Sequence, residues 1–208
     1  MPEIQTLFLV FSAGLLLAMT PGPDLMLVIA RGSGQGRRVA LATSLGVSGA
    51  GVIQLPMLAF GMSALIAEFP ALLGTIRILG AGYMVYLGVQ MYLSARPAQH
   101  IDINAKNQLG QAFREGFISN LFNPKVIMFQ LSFLPQFVQP DAGLVWAQLL
   151  VFGVLTKTAG LLVSIVAAFV SGSLGNFFRR NPTFAVWQTR MSGCIVASLG
   201  GLLLFQRN

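Results

Sequence analysis

Three titratable side chains stand inside long apolar runs of the chain: Asp24, Lys125 and Lys157. A charge at the middle of a membrane costs roughly 2.5–3.5 kcal/mol on insertion scales, so residues of this kind usually serve a function there. Lys157, in Leu155-Thr156-Lys157-Thr158, is too deep in its run for its ammonium to reach the surface easily. Arg77 and Arg190 lie nearer the ends of theirs and are expected to snorkel. Asp24 and Lys125 each close a helix-breaking polar stretch, Thr20-Pro21-Gly22-Pro23-Asp24 and Asn120-Leu-Phe-Asn123-Pro124-Lys125. Half-helix N-termini attract a carboxylate, whereas freed carbonyls and an aspartate attract an ammonium; an amino acid carries both groups. One carboxylate facing two ammonium groups leaves spare positive charge, which a substrate carboxylate would neutralise. A structural kink holding a buried ion pair is the competing reading of the same residues.

Other chemistries find little support. His100, the only histidine, lies in a polar loop, and the six acidic residues show no paired spacing, so neither a nucleophile with its base nor a set of metal ligands is expected. The single cysteine, Cys194, excludes internal disulfides and cysteine-based zinc sites. No catalytic role, metal or cofactor is therefore expected. The net charge of +7 comes from thirteen scattered lysines and arginines with no aromatic-interleaved stripe, which argues against nucleic acid as a partner.

These residues need a membrane to position them. The chain is 55% hydrophobic and only 9% charged, where a soluble domain carries about 25% charged residues. Six blocks are long enough to span a bilayer: roughly 6–30, 39–63, 71–93, 112–138, 144–170 and 184–205. Connections 31–38, 94–111 and 171–183 hold Arg31, Arg37, Arg38, Arg96, Lys106, Arg179 and Arg180; 64–70, 139–143 and the N-terminal tail hold only Glu3, Glu68 and Asp141. By the positive-inside asymmetry the basic loops face the cytoplasm and both termini face away from it, with Arg207 alone against the pattern. The N-terminus is acidic and its apolar run continues past any cleavage site, so no signal peptide is expected and the first helix is retained. Small residues recur at every fourth position, as in Gly14-Ala18-Gly22, Gly160-Ser164-Ala168 and Gly193-Ala197-Gly201, and read as helix-packing ridges.

The two halves echo each other in order. Phe11 to Gly14 with Pro23-Asp24 resembles Phe113 to Gly116 with Pro124-Lys125; Ala40 to Gly46 resembles Ala147 to Gly153; Arg77 to Gly80 with Leu87-Gly88 resembles Arg190 to Gly193 with Leu199-Gly200. Three spans per repeat is an odd number, so the second copy lies inverted relative to the first. The fold expected is an all-α polytopic membrane protein: six transmembrane helices as two inverted three-helix repeats, helices one and four broken at their proline motifs. It forms a single domain over 1–208, with repeat one to about 93, a cytoplasmic linker 94–111, and repeat two from about 112.

The motifs together resemble the LysE/RhtB superfamily of bacterial amino-acid exporters. They are Thr20-Pro21-Gly22-Pro23, the basic glycine-rich stretch Gly32 to Arg38, Leu79 to Tyr83 with Leu87-Gly88, Gly116 to Lys125, and Leu134-Pro135-Gln136-Phe137. The resemblance covers nearly the whole chain. It implies export of amino acids or close derivatives across the inner membrane, driven by protons, often by an oligomer. Asp24 departs from the family's usual Asn after Thr-Pro-Gly-Pro, and Lys157 is similarly atypical. The expected site is Thr20, Pro21, Gly22, Pro23, Asp24, Asn120, Asn123, Pro124, Lys125 and Lys157, and the remaining alternatives are a membrane enzyme or a passive channel or scaffold.

Overall fold

The structure is a computed structural model that describes residues 3–95 and 109–205. His100, Arg96, Lys106 and Arg207 lie outside the described residues, as does most of the expected linker. The described chain is helical from end to end: α1 (Ile4–Met19), α2 (Pro23–Gln35), α3 (Arg37–Gly49), α4 (Gly51–Glu68), α5 (Leu72–Leu93), α6 (Leu109–Leu121), α7 (Pro124–Phe133), α8 (Val145–Arg180) and α9 (Pro182–Phe205), with short 3-10 turns at Leu134–Phe137 and Pro140–Ala142. These follow the six apolar blocks in order.

By length and composition, three described segments suit a membrane crossing: Arg37–Glu68, Leu72–Leu93 and Val145–Ser173. The bent pair α1–α2 makes a fourth if it counts as one span. The segment pair α6–α7 and helix α9 are not among them. Large apolar side chains point outward along the bundle, among them Phe8 at 74% exposure, Met57 at 71% and Leu79 at 68%. Such a surface needs lipid rather than water around it.

Prolines set the breaks. Pro21 pushes Thr20 into extended backbone, φ −69° and ψ 125°, which ends α1. Gly22 continues extended, and Pro23 then opens α2 as its first residue, where a missing N–H costs nothing. The two axes meet at 57°. The second break repeats the device: Asn123 is extended, Pro124 opens α7, and the Asn123 side chain caps the new helix by accepting from the Lys125 backbone N–H at 3.0 Å.

Two expected loops are helical instead. Residues 31–35 continue α2, because Gly32 and Gly34 weaken a helix by only about 1 kcal/mol each. The chain turns at Gly36, whose φ of +91° is a left-handed conformation that glycine adopts without strain. Likewise α8 runs 36 residues through 171–180, and Pro182 is the first residue that cannot extend it. The basic connections 31–38 and 171–183 are therefore helix ends with tight turns.

Helix α5 lies along α9, α3 along α6, and α1 and α2 along α8. Glycines permit the closest approaches. A Cβ at Gly46 would stand 2.0 Å from the Phe113 carbonyl oxygen, and one at Gly116 would stand 2.3 Å from that of Thr43. Of the small-residue ridges, Gly14 meets Thr156 and Gly193 meets Gly88, whereas Gly160 and Gly201 face open space. Arg77 does not snorkel: it turns inward and donates to the carbonyls of Pro135, at 3.2 Å, and Val138. Arg190 lies over the Tyr92 ring, 5.3 Å from its centroid.

Candidate functional site at the two broken helices

Each break leaves carbonyls without intrahelical partners, and the opposite half supplies donors for them. At the end of α1, Lys125 Nζ donates to Leu17 O at 2.9 Å and to Thr20 O at 3.1 Å, while Gln188 Nε2 donates to Met19 O at 2.7 Å. An ammonium suits this negative end of a helix. At the end of α6, Gln54 Nε2 donates to Asn120 O at 2.8 Å and Leu121 O at 3.2 Å.

Asp24, in the first turn of α2, is held entirely by neutral donors from the other break. Ser119 Oγ donates at 2.6 Å, and Asn120 Nδ2 and Asn123 Nδ2 donate at 2.7 Å each. Lys157 Nζ reaches the same cluster from α8 and donates to Asn120 Oδ1 and Gln54 Oε1, both at 2.5 Å. Asn120 thus accepts from the lysine and donates to the aspartate, linking opposite charges through one neutral amide. Among the described residues Asp24 makes no direct ion pair; the ion pair found lies two turns further along α2, between Arg31 and Glu115 of α6. Arg31 is 4% exposed and also donates to Gln35 Oε1 at 2.7 Å, so it is a buried cross-link rather than a loop charge.

A cavity of about 90 Å³ opens at this level, room for several waters or a small organic solute. Thr20, Gly22, Asp24, Asn120, Asn123, Lys125 and Lys157 all line it. The other expected residues, Pro21, Pro23 and Pro124, are not on its wall and shape the backbone instead. Leu17, Leu25, Val47, Val126, Phe129 and Val163 supply an apolar remainder. Phe129 continues into a buried aromatic cluster, stacking on Phe133 with centroids 4.7 Å apart.

Sequence reasoning missed Gln54, Ser119 and the Arg31–Glu115 pair. Gln54 did carry a signal, being polar within the apolar Ile53–Leu55 stretch. Ser119 carried none beyond its neighbour Asn120. Among the described residues no group of three His, Cys, Asp or Glu could hold a metal ion.

A helical bundle with an apolar exterior, two broken helices and a charged cavity between them has the build of a membrane transporter. The model of the LysE type translocator family matches residues 15–207, and the protein belongs to that family. It is 26% identical to an uncharacterized membrane protein of Vibrio cholerae over 89% of this chain and 90% of that one. It is 28% identical to a homoserine/homoserine lactone efflux protein of Salmonella typhimurium over 71% of both chains. It is 29% identical to a leucine efflux protein of Salmonella choleraesuis over 61% of this chain and 60% of that one. No solved structure matches.

Proposed function

We propose that this protein is a proton-coupled secondary exporter of amino acids or close derivatives, in the bacterial inner membrane. The observation that carries the reading is the convergence of both breaks on one cavity holding one carboxylate and two ammonium groups. A zwitterion fits such a wall: its carboxylate takes a remaining N–H of Lys125 or Lys157, and its ammonium takes Asp24 or carbonyls at the end of α1. The efflux activities named for the Salmonella relatives agree with it.

Packing supports the six-span inverted repeat. Exchanging the halves maps α1–α2 onto α6–α7, α3–α4 onto α8, and α5 onto α9. The α1–α8 contact then becomes the α6–α3 contact, and the α5–α9 contact maps onto itself; these pairs are among the most extensive in the bundle. Gly88 packs on Gly193 while Gly200 packs on Ala81, the same exchange within one residue. In this reading the repeats rock about the cavity with the basic turns toward the cytoplasm, and the Arg31–Glu115 pair ties α2 to α6 two turns beyond Asp24.

Protons couple through Asp24. An ionised carboxylate only accepts; protonation turns one oxygen into a donor, which the Ser119 hydroxyl can accept and the Asn120 and Asn123 amide N–H groups cannot, so the links between α2 and the second break rearrange. The test is accumulation of each amino acid from fed dipeptides, in cells with and without the protein and with the proton gradient collapsed. Export that saturates and needs the gradient is expected. Equal accumulation in both strains for every amino acid overturns the reading, and gradient-independent, non-saturating leakage assigns the protein to the channels.

A further inference from the structure

The cavity wall carries ten polar or charged side chains. Among the described residues eight of them have hydrogen-bond partners, and the side chains of Gln130 on α7 and Ser48 on α3 have none. Ser48 is half-buried, whereas Gln130 is 4% exposed. Its amide is nevertheless not sealed off from open space, as the unpaired Arg31 Nε and Gln188 Oε1 are. On the wall, unpaired and in contact with open space, the amide is placed to meet a solute in the cavity. An amide offers two N–H donors and two acceptor lone pairs, and burying it unmet is unfavourable unless a solute or water supplies the partner.

Its position is informative. Gln130 follows Lys125 by five residues, about 7.5 Å along α7, with Val126 and Phe129 as apolar wall between them. Charged groups lie at one end of the helix segment and a neutral amide at the other.

We propose that Gln130 determines specificity: its amide hydrogen-bonds a hydroxyl, carbonyl or amide on the side chain of the transported solute. This deepens the amino-acid export reading and rests on it. The preferred substrates are neutral amino acids, or derivatives, with a polar side chain rather than aliphatic ones of the same shape. An aliphatic isostere leaves the amide unmet, and sites built around such a group discriminate strongly against analogues that lack its partner. Basic side chains are disfavoured as well, because Asp24 is the one carboxylate on the described wall and three donors already occupy it.

The test uses purified full-length protein in proteoliposomes, with L-homoserine and L-norvaline, which differ by a hydroxyl in place of a methyl. Wild type is expected to favour homoserine in kcat/KM by about tenfold or more. Gln130→Met keeps the length and removes the amide, and is expected to reduce that ratio about tenfold. Wild type that handles the two solutes within about threefold overturns the proposal, as does a variant that keeps the wild-type ratio. Both readouts are ratios within one preparation, so partial loss of folded protein does not disturb them. If Gln130→Met fails to insert, the wild-type ratio alone decides. Transport of no amino acid at all by wild type overturns the export reading and this inference with it, an outcome distinct from transport without discrimination.

Discussion

Asp24 concentrates the chemistry at the scale of single residues. Its three partners are the Ser119 hydroxyl, on Oδ1, which can donate or accept, and the Asn120 and Asn123 amide N–H groups, on Oδ2, which only donate. Asp24→Asn fits with its NH₂ donating to the Ser119 hydroxyl and its carbonyl accepting from the two asparagine amides, so it removes the titratable group while keeping the network. If protons couple through Asp24, the variant exports at a reduced rate that no longer varies with external pH, measured in vesicles with an imposed gradient; an unchanged pH profile assigns Asp24 to structure alone. Gly160 offers a cleaner steric test, since a Cβ there meets nothing within 4 Å and the residue lines the cavity. Gly160→Phe carries a ring from that open Cβ position at the cavity wall. Insertion and melting temperature should stay near wild type while export falls at least about tenfold, equivalent to roughly 1.4 kcal/mol against the solute.

Among the elements, the broken helices depend on residues that never touch the cavity. Pro21, Pro23 and Pro124 remove backbone donors and force extended conformations before them, which exposes the carbonyls that Lys125 and Gln54 cap. Replacing all three with Ala restores three N–H donors and lets the helices straighten. The expected product inserts and purifies normally but has lost export by tenfold or more, about 1.4 kcal/mol or greater; retained export with wild-type kinetics would assign the prolines to packing. Gly116 tests a different element contact. Gly116→Val places carbon against the Thr43 carbonyl oxygen, which lies 2.3 Å from the Cβ position, so overpacking should cost about 1–3 kcal/mol or more. A lowered melting temperature in detergent is the measurement, and no change would mean that α3 and α6 are further apart than described.

For the whole molecule, the charge asymmetry sets the expected orientation. Arg37 and Arg38 follow the turn at Gly36, and Arg179 and Arg180 precede the one at Asn181, whereas Glu3, Glu68 and Asp141 belong to the N-terminal tail and the alternate connections. Helix α8, at 36 residues, is about 54 Å long against a hydrocarbon core of about 30 Å, longer than a crossing requires. Reporters fused after Gly36 and after Asn181 are expected to read cytoplasm, and fusions at both termini to read the outside. A cytoplasmic C-terminus would mean that α9 does not cross, and would remove the inverted repeat.

Much of this was legible before any coordinates. Apolar blocks fix where helices can exist, because lipid leaves backbone groups no other partner. Prolines within two of those blocks fix where the helices fail, since the missing N–H is a local covalent fact. Charges within apolar runs point to the site, because their cost is local too. Helix boundaries were less legible: glycine-rich polar stretches at 31–35 and 171–180 stay helical once neighbours pack against them, and propensity is too weak to reveal it. Pairing was not legible at all. That Asp24 faces three neutral donors instead of a lysine, that Lys125 caps the other half's helix, and that Arg31 is buried against Glu115 all depend on residues about 80 to 110 positions apart. Only the crossing of the helices brings such residues within hydrogen-bond range, so the tertiary structure alone decided which charges meet and which amide, Gln130, is left facing the cavity unpaired.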